Sequence, residues 1–170
     1  MVLRQTNTAS AAQTLQGVRV LILEAPYYAH ITNPLAEGAL AVIVAAGGRA
    51  TRIAVPGALE LPQALAALVH ADRIGRFAAL EKRSYDGAVI LGCVIRGETS
   101  HYDTVCNEAN RGLMEIALRH GVPLGNALLT VNTEAQALAR ADGGKANKGG
   151  EAARACLRLI EIERQLGPKS

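Results

Sequence analysis

Thr99, Ser100 and His101 stand together a few residues after an apolar run that ends at Ile95. Hydroxyls and backbone amides at the start of a helix attract anions, because exposed N–H groups and the positive dipole end point at the same place. A histidine in that first turn meets the same positive end, which disfavours a second positive charge and leaves an imidazole able to accept a proton. Each feature has a plainer and commoner reading: a helix cap without a ligand, and a solvated ring. Tyr27 and Tyr28 stand out in a chain with four Tyr, one Phe and no Trp. They can stack on a flat heterocycle or pack against the following helix. Glu60, just past Pro56-Gly57, can accept hydrogen bonds from sugar hydroxyls or simply begin a helix, and the helix is favoured. Arg140, Lys145 and Lys148 flank a glycine turn, where a solvated charged face is the default.

These residues need elements to position them. Residues 18–23 and 87–95 are nearly continuous apolar runs, as expected of strands covered on both faces. Further strands are expected at 50–55 and 127–131. Pro34 suits the first turn of a helix that Gly47-Gly48 ends. Leu61, Leu65 and Leu68 mark a helix over 61–71, with a helix extension and loop over 72–84. Ser100 with Asp103 reads as an N-cap and an acidic first turn, opening a helix that Gly121-Val122-Pro123 stops. A short helix over 133–141, a Gly- and Lys-rich turn over 142–150 and a last helix over 151–166 complete the chain. Strands alternate with helices and hairpin signals are missing, so the fold class is α/β, a parallel sheet between two helical layers. In open sheets of this kind ligands sit at the carboxyl ends of the strands. Those ends fall at 24–30, 56–60, 96–101 and 132–134.

The 170 residues fit one domain, with residues 1–16 expected as a flexible N-terminal arm and 17–170 as the folded unit. The net charge of +3 is spread along the chain, which argues against a nucleic-acid surface. No apolar run reaches the length of a membrane span, and the first residues lack the order of a secretory signal. Cys93, Cys106 and Cys156 have no CxxC spacing and lie in apolar contexts, so buried reduced thiols and a cytoplasmic location are expected.

Three segments together resemble the lumazine synthase family. They are Val55-Pro56-Gly57-Ala58-Leu59-Glu60-Leu61-Pro62, then Leu91-Gly92-Cys93-Val94-Ile95-Arg96-Gly97-Glu98-Thr99-Ser100-His101-Tyr102-Asp103, and Gly144-Lys145-Ala146-Asn147-Lys148-Gly149-Gly150. The second is long and very specific, and the likeness in order and spacing runs over about residues 18–166.

The resemblance implies a flavodoxin-like three-layer sandwich with a four-stranded parallel sheet. It implies homopentamers with active sites between neighbouring subunits, joined as twelve into a hollow capsid in some members. It implies a transferase of riboflavin biosynthesis, which condenses 5-amino-6-(D-ribitylamino)uracil with 3,4-dihydroxy-2-butanone 4-phosphate and needs no metal or organic cofactor. Carried over position by position, His101 is the proton-transfer residue and Tyr27 the aromatic that stacks on the pyrimidine. Ala58, Leu59 and Glu60 bind the ring and ribityl chain, and Cys93, Val94 and Ile95 hold the pyrimidine edge. Glu98 and Thr99 form the phosphate-side turn, Arg140 neutralises the phosphate, and Lys148 stands close by. Leu59 departs from a frequent Phe, and Asn126 from an aromatic that the neighbour supplies, so a less aromatic platform is expected. A non-catalytic flavin or lumazine binder of the same fold is the alternative. A flavodoxin is disfavoured, because Glu24-Ala25-Pro26-Tyr27-Tyr28 lacks the Ser/Thr/Gly loop that would cradle a phosphate after the first strand.

Overall fold

The computed structural model describes residues 15–144 and 146–167. The strands are β1 (Arg19–Ala25), β2 (Arg49–Ala54), β3 (Gly87–Ile95) and β4 (Leu124–Val131). They form a four-stranded sheet in the order β2-β1-β3-β4, with every neighbouring pair parallel. The helices are α1 (Ala29–Ala45), α2 (Glu60–His70), α3 (His101–His120), α4 (Glu134–Ala141) and α5 (Lys148–Leu166). This is the expected α/β sandwich.

Alternation along the two inner strands builds a core on each face. Val20 and Ile22 of β1, with Val89 and Leu91 of β3, pack against Leu35 and Ile43 of α1 and Cys156 and Ile160 of α5. Leu21, Leu23, Ala88 and Ile90 point the other way, onto Leu61 and Leu65 of α2 and Ala109 and Leu113 of α3. Each fully buried Leu or Ile contributes roughly 1.5–3 kcal/mol relative to exposure, so neither helical layer can be stripped without exposing a core. The edge strand β2, RATRIA, is half exposed and correspondingly polar. Helix α5 lies unusually close to its neighbours. A Cβ at Gly149 would overlap the Leu35 carbonyl oxygen, and one at Gly125 the carbonyl oxygen of Ala152. These two glycines set the approach of α5 to α1 and β4, and so the position of the turn before it.

Several boundaries differ from the sequence-based expectations. Pro34 does not open its helix: α1 begins at Ala29, and Pro34 lies inside it. The three residues before α1, Pro26–Tyr28, form a 3-10 turn rather than a loop. The Thr32 hydroxyl donates to the Tyr28 carbonyl at 3.2 Å, which helps to hold this entry although Pro34 cannot donate to the His30 carbonyl. The helix extension over 72–84 is absent. Helix α2 stops at His70, and Asp72 has a positive φ of 58° that no continuing helix accepts. Strand β4 starts earlier than expected, because Leu124 pairs with Ala88 directly after Pro123. Helix α5 starts earlier too, capped by Asn147, whose side-chain oxygen accepts from the Gly150 amide at 2.9 Å. Of the cysteines, Cys93 and Cys156 are buried as expected but Cys106 is only partly so, and all three are free. Residues 1–14 of the expected arm and Lys145 lie outside the described residues. No described helix is long and apolar enough to cross a membrane.

Asp86, buried just before β3, ties the amino-terminal end of the sheet together. Its carboxylate accepts from the Arg19 amide at 2.8 Å and from the guanidinium groups of Arg83 at 3.1 Å and Arg19 at 3.4 Å. Burial pushes its pKa upward, but the hydrogen bonds from Arg19 and Arg83 outweigh it and hold the carboxyl below its ordinary range. A depressed carboxylate stabilises the fold above its unfolded pKa of about 3.9, and that stabilisation fades as pH falls through the folded value. Asp86→Asn is therefore expected to cost about 2 kcal/mol at pH 7, with the gap from wild type closing in acid. Urea unfolding at equal protein concentration, near neutrality and again in acid, measures both; a gap independent of pH would contradict this role.

Candidate active site

All strand-to-helix turns emerge at one edge of the sheet, because all four strands run the same way. A cleft of about 310 Å³ opens there, and Tyr27, Ala58, Leu59, Glu60, Cys93, Val94, Ile95 and His101 all line it. The 3-10 turn lifts the Tyr27 ring outward, 74% exposed. It meets Tyr28 edge-on, with ring centroids 5.0 Å apart, so Tyr27 offers a face to the cleft while Tyr28 packs back on the core. Burial raises the Tyr28 pKa, and the neighbouring Tyr27 adds to it. The end of β3 forms the floor. Burial pushes the Cys93 thiol up to about 11, so it stays protonated near neutrality and is no nucleophile. Glu60 is the first residue of α2, and its carboxylate folds back over Gly57, where a Cβ would stand 2.9 Å from it. That compact turn keeps the carboxylate at the rim of the cleft.

His101 is exposed and is the first residue of α3. Ser100 holds the N-cap position and Asp103 the first turn, as expected, but Ser100 makes no side-chain cap bond and has helical backbone angles. Instead the Thr99 hydroxyl takes the His101 amide at 3.4 Å. Asp103 turns away to Arg96, with oxygen-to-nitrogen distances of 2.9 and 3.2 Å. Glu98 and Thr99 lie exposed beside His101 and are not part of the cleft wall. Among the described residues, the amides of Gly97, Glu98, Thr99 and Ser100 have no hydrogen-bond partner, which suits an anion.

The remaining expected residues sit elsewhere. Asn126, Arg140 and Lys148 line a second cavity, of about 410 Å³, along the exposed edge of β4. Arg140 leans on its own helix, donating to the Gln136 carbonyl at 2.9 Å. Lys148 pairs with Glu151 at 2.5 Å. Asn126 is engaged within its own chain: its amide nitrogen donates to Asn110 at 2.7 Å, and its oxygen accepts from the Leu128 amide at 2.8 Å. The two cavities share no lining residue. One chain thus brings together the aromatic, the carboxylate and the imidazole, and separately the two cations.

Sequence reasoning missed Glu151, although its place three residues after Lys148 on a helix was a usable signal. It also missed the contact between His30 and Glu134, at 2.5 Å, which fastens the Tyr27-Tyr28 turn to the start of α4. A pairing 104 residues apart leaves no local signal. Among the described residues, no group of three or more His, Cys, Asp or Glu side chains is gathered to hold a metal ion.

Residues 17–164 match the family model described as 6,7-dimethyl-8-ribityllumazine synthase. The chain belongs to the lumazine synthase family. Similar proteins carrying that name include one from Methylobacterium radiotolerans, 51% identical over 88% of this chain and 85% of the relative. Another, from Azorhizobium caulinodans, is 47% identical over 97% of this chain and 98% of its own length. A third, from Methylorubrum populi, is 51% identical over 91% and 88%. The matched segment includes the lining residues of both cavities.

The thiols offer a direct check on the floor of the cleft. Burial holds Cys93 at about 11 and Cys156 at about 12, so at pH 8 neither is a thiolate. Ellman's reagent is expected to label at most Cys106 in the native protein and all three cysteines after denaturation. Prompt native labelling of Cys93, located by mass spectrometry, would show an open floor instead.

Proposed function

We propose that the chain condenses 5-amino-6-(D-ribitylamino)uracil with 3,4-dihydroxy-2-butanone 4-phosphate to give 6,7-dimethyl-8-ribityllumazine, at sites shared between adjacent copies. One observation carries this reading. The cleft with Tyr27, Glu60 and His101 lacks a basic side chain among its lining residues other than the imidazole, whereas Arg140 and Lys148 lie together in a different cavity. A phosphorylated substrate needs both, and a neighbouring copy that sets its β4 edge against this cleft supplies the second. The assembly is a homopentamer in this reading. Three free thiols fit a reducing compartment, and a cytoplasmic location belongs to the same proposal.

Both substrates are intrinsically reactive, so placement does most of the work; good orientation lowers a barrier by roughly 7–11 kcal/mol in favourable cases. Tyr27 stacks on the pyrimidine, backbone groups of Cys93, Val94 and Ile95 hold its edge, and Glu60 accepts from ribityl hydroxyls. The unpartnered amides near Thr99 and a neighbour's Arg140 receive the phosphate. The ring amine adds to the ketone and water leaves, giving an imine. Inorganic phosphate is then eliminated, and closure of the second ring releases another water. His101, beside the phosphate turn, takes and returns protons in these steps.

His101→Ala is expected to lower kcat about 10²–10⁴-fold while leaving a measurable rate, followed by lumazine absorbance. A properly assembled variant with no residual turnover would refute positioning as the main source of rate. Arg140→Ala is expected to raise the KM for the sugar phosphate at least about tenfold, as loss of a charge-assisted bond implies. The shared site has its own test: the two impaired variants, unfolded and refolded together, should exceed the activity of either alone, at interfaces that pair an intact His101 with an intact Arg140. Absence of recovery in mixed assemblies of normal native mass would place the complete site within one chain.

A further inference from the structure

The turn that carries the anion-binding amides and ends at His101 has little holding it from within. Gly97, Glu98, Thr99 and Ser100 are all exposed, and a Cβ at Gly97 would meet nothing within 4 Å. Its one internal bond, from the His101 amide to Thr99, is long at 3.4 Å. Its two ends, by contrast, are joined through one guanidinium. Arg96 directly follows β3, and its amide donates to the Val131 carbonyl at 2.9 Å, extending the pairing with β4. Its side chain forks onto both oxygens of Asp103 in the first turn of α3, at 2.9 and 3.2 Å. It donates to Asn132 at 3.3 Å and lies 4.1 Å above the centre of the Tyr102 ring.

We propose that Arg96 and Asp103 are positioning residues: their fork, seated on Tyr102, fixes the 97–100 turn and thereby the placement of the phosphate-side amides and the His101 ring. The inference rests on the reaction proposed above and adds to it residues that touch no substrate. A two-pronged guanidinium–carboxylate contact constrains orientation as well as distance, and an aromatic face below removes the remaining freedom of the planar group. Exposed ion pairs add little to global stability. The contact is therefore worth more to geometry than to folding. Arg96 itself is no phosphate ligand in this arrangement, because Asp103 already satisfies its fork.

Kinetics of Asp103→Asn and Arg96→Lys test this, with native mass and thermal midpoint measured alongside. Both variants keep similar size but lose the fork. Each is expected to raise the KM for the sugar phosphate and to lower kcat, each by about tenfold, since misplacement of order 1 Å can cost up to about 10²-fold. The KM for the pyrimidine should change less than about twofold, because Tyr27 and Glu60 sit on other turns. The double variant should be no worse than the poorer single one, as expected for one shared contact. Wild-type constants in a folded variant, or equal losses for both substrates, would overturn the clamp. Hydrogen exchange gives a readout independent of turnover: the Asp103 and Thr104 amides, which donate to the Ser100 carbonyl, should exchange faster in both variants. A wild-type chain without turnover would sink the reaction, and unchanged exchange at those amides would then sink the clamp on its own.

Discussion

Parallel pairing of β1 with β3 is the constraint on which the site depends. The two strands run in register from Val20 opposite Gly87 to Ala25 opposite Gly92, so both end at one level of the sheet. Parallel neighbours cannot be joined by a hairpin, and each return path must cross a face as a helix. Every turn that leaves a strand therefore emerges at the same edge. Tyr27, Glu60 and His101, far apart in the chain, meet for that reason. Burial of both faces also makes register expensive to change, since slippage by one residue would exchange the two core clusters.

Polar groups near this edge are anchored within the frame. Glu24, buried at the end of β1, receives a forked bond from Arg52 of β2 at 2.9 and 3.0 Å. His30 and Glu134 join the starts of α1 and α4. Among the described residues, no buried side-chain nitrogen or oxygen lacks a hydrogen-bond partner.

What the sequence disclosed, and what it hid, follows the range of the interactions. The strands at 18–23 and 87–95 were legible because burial on both faces leaves an unbroken apolar run. Eight of the expected site residues share one cleft because parallel topology alone brings those turns together. Pro34 misled because a first-turn preference was read locally, whereas packing of Ile31 and Leu35 in the core carries the helix back to Ala29. Ser100 and Asp103 marked the helix start correctly but not the cap bond: Asp103 bonds to Arg96, and the hydroxyl of Thr99 meets the His101 amide instead. The extension beyond His70 failed because Asp72 takes a positive φ. The separation of Arg140 and Lys148 from the cleft depends on which face of α4 and which edge of β4 turn outward, and neither is encoded in any short window. The family resemblance supplied the residues of the second cavity, and the structure supplied the fact that they lie apart.

That separation has an electrostatic logic. A phosphate monoester carries close to two negative charges near neutrality. Arg140 and Lys148 bring two positive charges to their cavity, but the Glu151 carboxylate on Lys148 removes one of them. The balance of one falls short of a dianion. The turn at 97–100 offers partial positive charge from unpartnered amides and a helix start, equivalent to roughly half an elementary charge, and on its own is weaker still. In the proposed site neither half neutralises the phosphate, and the two together come close. Were Arg140 placed inside the first cleft, the Glu60 carboxylate would compete for it and the phosphate would meet a pair already satisfied. In the proposed shared site, holding the guanidinium on a different surface, fixed along α4 by the Gln136 carbonyl, keeps it from Glu60 until protomers meet. Full anion binding in that proposed site is then a property of the assembly.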